Sequence, residues 1–254
     1  ITGSASDINT LVGNEGDSGD KVNLDGDFIV TVTDTGTVEA AHLNTINDKT
    51  SSLVTASSVT RITGTVSALN TLYNDAGDNE LAGLGDEAIT ITGDTTGTTT
   101  ALITLNSHTT GQINASNLTQ ITGSNSEINT VYTIVNNQLT GIGDETIVVT
   151  DSQLSTDQLN TLNTRTTGLV NATAVTNITG TASDLNTLMG IEADTGNTIN
   201  LDGDFTVTVS DTGAVAAAHL NTINAKTTGL ITATSLTALT GTASVIATLM
   251  AAEG

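Results

Sequence analysis

Carboxylates and glycines are interleaved at four places in the chain: GDSGDKVNLDGDF, NDAGDNELAGLGDE, GIGDE and IEADTGNTINLDGDF. Their acids are Asp17, Asp20, Asp25 and Asp27; Asp75, Asp78, Asp86 and Glu87; Asp144 and Glu145; and Glu192, Asp194, Asp202 and Asp204. Hard oxygen ligands on a tightly turning backbone are what calcium needs, so Ca2+ is the one cofactor this pattern suggests. Neither the EF-hand spacing nor the GGxGxDxUx nonapeptide is present. The competing reading is a solvated acidic edge that keeps the protein soluble. A further acid follows each group, at Asp34, Asp94, Asp151 and Asp211, the first and last within Asp-Thr-Gly.

Other chemistry has little to stand on. The three histidines are His42, His108 and His219, and the first and last occupy the same place in a repeat, which suits packing or surface better than catalysis. No GxxxxGK[ST] occurs, since Gly93 to Thr100 lacks the lysine that would meet phosphate. The cations Lys21, Lys49, Arg61, Arg165 and Lys226 read as scattered, so no basic cleft for acidic sugars is expected. Five Lys plus Arg against 27 Asp plus Glu leave a formal charge of -22, which repels nucleic acid and anionic membrane. No apolar run reaches the roughly 18 residues of a membrane span. No enzyme activity is expected.

The elements that carry these acids are set by repetition. A four-residue box, LNTL or a near copy, begins at Ile8, Leu43, Leu69, Leu102, Ile128, Leu159, Leu185, Leu220 and Ile246. The steps between boxes are 35, 26, 33, 26, 31, 26, 35 and 26, so one coil is fixed and the other carries insertions. Fixed-period self-similarity of this size marks a solenoid. Box residues three apart share one helix face, and Ser155 is placed to cap the helix that carries Leu159 and Leu162. The box Asn reads either as surface or as a ladder bonding the neighbouring coil, and its recurrence favours the ladder.

Between boxes lie strands. In the fixed coil Val54, Ile113, Val170 and Ile231, and then Ala56, Ala115, Ala172 and Ala233, make inward columns, while Thr55, Asn114, Asn171 and Thr232 face out. The variable coil offers Phe28 to Val32, Ile89 to Thr92, Thr146 to Val149 and Phe205 to Val209. The expected fold is a right-handed β/α, β-helix-like solenoid with parallel stacked strands, short helices and two coils per repeat of about 60 residues. It runs as one continuous body over 1–254, with repeats at 1–61, 62–120, 121–177 and 178–238 and a partial one at 239–254. With two Phe, two Tyr and no Trp, Cys or Pro, the core must be thin layers of aliphatic side chains.

The alternation of ITGTxSxLNTL with TxTVT-DTG strands, together with Ile62-Thr63-Gly64, Ile121-Thr122-Gly123 and Ile178-Thr179-Gly180, resembles the repeat regions of giant secreted surface proteins of cyanobacteria and other marine bacteria. The resemblance spans the chain and implies export of the type I kind and an extracellular structural or adhesive role, with no active site to carry over. The missing nonapeptide departs from classical repeat-in-toxin calcium sites. The leading expectation is an extracellular structural protein, a repeat segment of a self-associating fibre, sheet or cell-surface coat. The alternative is a calcium-dependent adhesin region holding a surface or polysaccharide. Ice binding through outward pairs such as Thr31/Thr33 is weaker, because Thr146, Val148 and Thr150 break the column. The chain opens with ITGSASDINTL and closes with LTGTASVIATLMAAEG, the same phase without a polar cap. Each end is therefore expected to be covered by further repeats or by the next molecule stacked head to tail, which grows into an open filament.

Overall fold

A computed structural model describes residues 1–14, 22–77, 80–134, 138–193 and 198–252. Over these the chain is an α/β protein of short helices and short strands in several parallel sheets. The helices are α1 (Ala5–Gly13), α2 (Ala40–Asp48), α3 (Val66–Gly77), α4 (Thr99–His108), α5 (Asn125–Ile134), α6 (Thr156–Asn163), α7 (Ala182–Ala193), α8 (Ala217–Asn224) and α9 (Ala243–Ala252). Each carries one box, and the paired box residues turn inward: Leu43, Ile46, Leu69, Leu72, Leu159, Leu162, Leu185 and Leu188 are all fully buried. Helices of two or three turns are marginal alone, so this burial is what holds them. Ser155 caps α6 as expected, in a capping box with Gln158.

The chain divides into two compact units, Ile1–Thr119 with Thr130–Ile142, and Gln120–Asn129 with Gly143–Gly254. In the first, Thr2–Gly3, Val30–Val32, Val54–Thr55 and Leu81–Ala82 form one parallel sheet in that order. A second runs Thr37–Glu39, Arg61–Gly64, Ala88–Ile91, Ile113–Asn114 and Leu139–Thr140. Its register aligns Ile62, Ile89, Ile113 and Leu139 inward and Glu39, Thr63, Thr90, Asn114 and Thr140 on the outer face. In the second unit, Gln120–Gly123, Thr146–Val149, Val170–Asn171 and Ile199–Asn200 pair in order. Gln153–Ser155, Asn177–Gly180, Thr206–Val209 and Ile231–Thr232 make another sheet, and Ala214–Ala216 pairs with Ala238–Thr240.

The box Asn behaves as a ladder where its bonds are resolved. The side-chain amides of Asn44, Asn70 and Asn221 donate to the carbonyls of Ala68, Ala101 and Val245, each in the next helix, at 2.9 to 3.1 Å. Asn129 differs: its amide donates to Asn125 within its own helix, and its oxygen accepts from Arg165. Two variable-coil strands begin later than the sequence suggests, at Val30 and Thr206 rather than at Phe28 and Phe205. The carbonyls of Phe28 and Phe205 accept from the hydroxyls of Thr50 and Thr227.

Candidate functional site

The residues singled out for calcium divide by environment. Asp17, Asp20, Asp78 and Asp194 lie outside the described residues. Asp25, Asp27, Asp86, Asp144, Asp202 and Asp204 are exposed, and Asp75 is half-buried near the end of α3. Glu87 and Glu145 are 1% exposed, so they belong to the interior. Among the described residues no three His, Asp or Glu side chains come together in a group able to hold a metal ion.

The acids that follow the variable strand have a shared role. The Asp34 carboxylate accepts from the Ala5 amide at 2.7 Å, Asp94 from Val66 at 2.7 Å, Asp151 from Asn125 at 2.6 Å and Asp211 from Ala182 at 2.7 Å. Each amide is the first of its helix, in α1, α3, α5 and α7. The first four N–H groups of a helix have no partner within it, and the N-terminus carries partial positive charge. A carboxylate there makes a charge-assisted bond. The helix's own Ser or Thr supplies the second cap: Ser4 accepts from Asp7, Thr65 from Ala68, Ser124 from Glu127 and Thr181 from Asp184. Two caps of different origin thus meet at α1, α3, α5 and α7.

At the entrance to the variable strand the four repeats place Phe28, Glu87, Glu145 and Phe205 at one position. Its carbonyl always accepts from a threonine just past the following helix: Thr50 at 2.6 Å, Thr109 at 3.0 Å, Thr166 at 2.6 Å and Thr227 at 2.5 Å. The same hydroxyl oxygen accepts from the amide two residues on, in Ser52, Gly111, Gly168 and Gly229. The chain passes so close that a Cβ on Gly168 would sit 2.5 Å from the Glu145 carbonyl oxygen, and one on Gly229 2.3 Å from that of Phe205. Where Glu replaces Phe, the helix residue after the box is Tyr73 or Tyr132 in place of Val12 or Met189.

Glu87 shows what the exchange builds. One carboxylate oxygen accepts from the Tyr73 hydroxyl at 3.0 Å and from the Gly85 amide at 2.9 Å, while the other is buried without a partner. Burial, and then the negative charge of Glu87, push the Tyr73 hydroxyl far above its ordinary ionisation range. His108 stacks on Tyr73 with ring centroids 5.7 Å apart and planes 7° from parallel. Glu145 takes the Gly143 and Asp144 amides at 2.6 and 3.1 Å, so this carboxylate also closes its own turn. The turn before it needs a left-handed backbone at Gly141, φ 78°, as Gly83, φ 88°, does before Glu87.

Three of the five cations share one place in the repeat, while Arg61 opens a strand and Lys21 lies outside the described residues. Lys49, Arg165 and Lys226 each stand one residue before the hydroxyl threonine, at the exit of α2, α6 and α8. Positive charge there complements the negative end of the helix. That signal was available in the sequence, by aligning the turns after the box rather than the boxes alone. The interior role of Glu87 and Glu145 had a signal too, their shared position with Phe.

Compared with protein-family models, with curated proteins and with solved structures, the chain gives no match. Among the described residues no helix is long and apolar enough to cross a membrane. The geometry itself is one of closure. The polar groups that recur with the repeat are spent on backbone amides and carbonyls 21 to 29 residues away.

Proposed function

We propose that the chain is a repeat segment of an extracellular structural protein that self-associates into a fibre, sheet or cell-surface coat. In this reading the α/β units are turns of one right-handed β/α solenoid, two coils per repeat, and the molecule acts through its length and surface. The carrying observation is that the same bonds recur in each repeat, four aspartates on helix N-termini and four threonines on strand-entry carbonyls. In these bonds the recurring aspartates and threonines serve the scaffold. Electron microscopy of the purified chain at physiological salt tests it: filaments or a lattice are expected, and isolated particles at every concentration and salt overturn it.

A calcium-dependent adhesin is the second reading. The exposed Asp25-Gly26-Asp27 and Asp202-Gly203-Asp204 favour it, with the Asp202 side chain already folded back on the Gly203 amide at 2.9 Å. Sugar recognition usually draws on exposed aromatic faces, which bury large area at little entropic cost. Here Tyr73, Tyr132 and Phe205 are buried and Phe28 is half-buried. Titration calorimetry separates the readings: saturable calcium heat, with a melting temperature lowered by chelator, favours the adhesin, and no heat removes the metal from consideration.

A further inference from the structure

The sequence holds two Asp-Gly pairs, Asp25-Gly26 and Asp202-Gly203, and they fall at one place in the first and fourth repeats, just ahead of Phe28 and Phe205. In the second and third repeats the same place reads Leu84-Gly85 and Ile142-Gly143. The glycine carbonyl makes the same bond in all four. It accepts from an amide in the turn after the next helix: Gly26 from Ser51 at 2.7 Å, Gly85 from Thr110 at 2.8 Å, Gly143 from Thr167 at 2.8 Å and Gly203 from Thr228 at 2.9 Å. This bond is a joint between successive coils. The aspartate before it is the part that varies.

An aspartate before a glycine places a carboxyl carbon within reach of the next backbone nitrogen, and glycine has no Cβ to shield that nitrogen. At Asp202 the approach is visible. The Gly203 amide donates to Asp202 Oδ1 at 2.9 Å, so nitrogen and carboxyl already share one turn. Both residues of each pair are exposed, which gives water access. The surroundings leave room as well. A Cβ built on Gly26 or Gly203 meets nothing within 4 Å, and neither has the left-handed backbone of Gly85, φ 135°, and Gly143, φ 131°.

We propose that Asp202-Gly203 and Asp25-Gly26 are sites of spontaneous backbone isomerisation through a succinimide ring. The Gly203 nitrogen bonds to Cγ of the protonated Asp202 carboxyl; its proton and the carboxyl hydroxyl leave together as one water. A second water then opens the ring. Attack at Cγ restores aspartate. Attack at the main-chain carbonyl carbon breaks its bond to nitrogen and leaves the chain running through Cβ and Cγ, with the former carbonyl as a free carboxylate. One water leaves and one enters, nothing is oxidised and the charge is unchanged. The new link is longer by one methylene, so it displaces the Gly203 carbonyl from the Thr228 amide. The coil joints of the first and fourth repeats therefore loosen with age, while those at Gly85 and Gly143 do not.

This inference is independent of the self-associating reading. The full chain is aged in heavy-oxygen water at neutral pH and digested for peptide mass spectrometry. A protease that cuts before aspartate but not before isoaspartate gives the second readout. Uptake of one heavy oxygen per ring opening at Asp202 and Asp25, with growing resistance to cleavage there, is expected. Asp86 and Asp144, exposed and followed by glutamate, are the internal references. Gly203→Ala, which the open surroundings accept, slows uptake at Asp202 about tenfold by crowding the nitrogen and leaves Asp25 unchanged. Uptake at Asp202 no greater than at Asp86 and Asp144 overturns the proposal, as does equal uptake in Gly203→Ala. In aged protein the Thr228 amide exchanges with deuterium faster than in the variant aged alongside; equal exchange with isoaspartate present overturns the loosening of the joint.

Discussion

Asp211 lies beyond the strand Thr206–Val209, yet its carboxylate completes a helix that began 29 residues earlier. Replacing it by alanine leaves the Ala182 amide without an acceptor at a helix N-terminus. The expected cost is about 1–2 kcal/mol, read from urea unfolding, with Asp211→Asn losing less. Tyr73 makes a pH-dependent case. An unfolded tyrosine ionises near pH 10, whereas burial and then Glu87 hold the folded hydroxyl neutral well above that. The folded pKa is raised, so the stability tied to the neutral hydroxyl is whole below about pH 10. It falls above that by about 1.4 kcal/mol per pH unit. Unfolding midpoints between pH 9 and 12 should therefore decline less steeply in Tyr73→Phe. At pH 7 the same variant should be less stable by about 1–2 kcal/mol, because a buried carboxylate oxygen has lost a donor.

At the scale of elements, the junction of helix, threonine and strand entry is the unit that repeats. Gly168→Ala drives a methyl against the Glu145 carbonyl and should break the Thr166 bond with it. A loss of about 2–4 kcal/mol is expected from chemical denaturation, as for other overpacked sites. Ser52, which holds that position in the first repeat and donates to the Asp27 carbonyl, should tolerate glycine within about 1 kcal/mol. Much of this architecture was legible. Box leucines three apart and the inward column of Val54, Ile113 and Val170 follow from apolar spacing, which the sequence displays directly. The aspartate caps were not legible, because their partners are 26 to 29 residues away and the pairing register that brings them together is a tertiary fact. Glu87 and Glu145 misled for the opposite reason. Acids beside glycine look like loop ligands until the exchange with Phe28 and Phe205 marks the position as inward.

For the whole molecule the dominating quantity is a charge of -22. Two copies brought together repel, and salt screens that repulsion within about 10 Å at 0.1 M. Light scattering should show particles growing between about 10 and 150 mM sodium chloride, and growing further as pH falls toward 4.1. Calcium at matched ionic strength should do no more than sodium if the exposed aspartates are only a solvated edge, and markedly more if they bind it. The aspartate caps carry a final consequence, for the order of events during synthesis. Four of the helices receive their terminal carboxylate only from chain that emerges later, so each stays unfinished until 26 to 29 further residues have been made. Each arriving aspartate then locks the helix 26 to 29 residues before it. Folding is therefore expected to run from the N-terminal end, a repeat at a time, at the pace of synthesis.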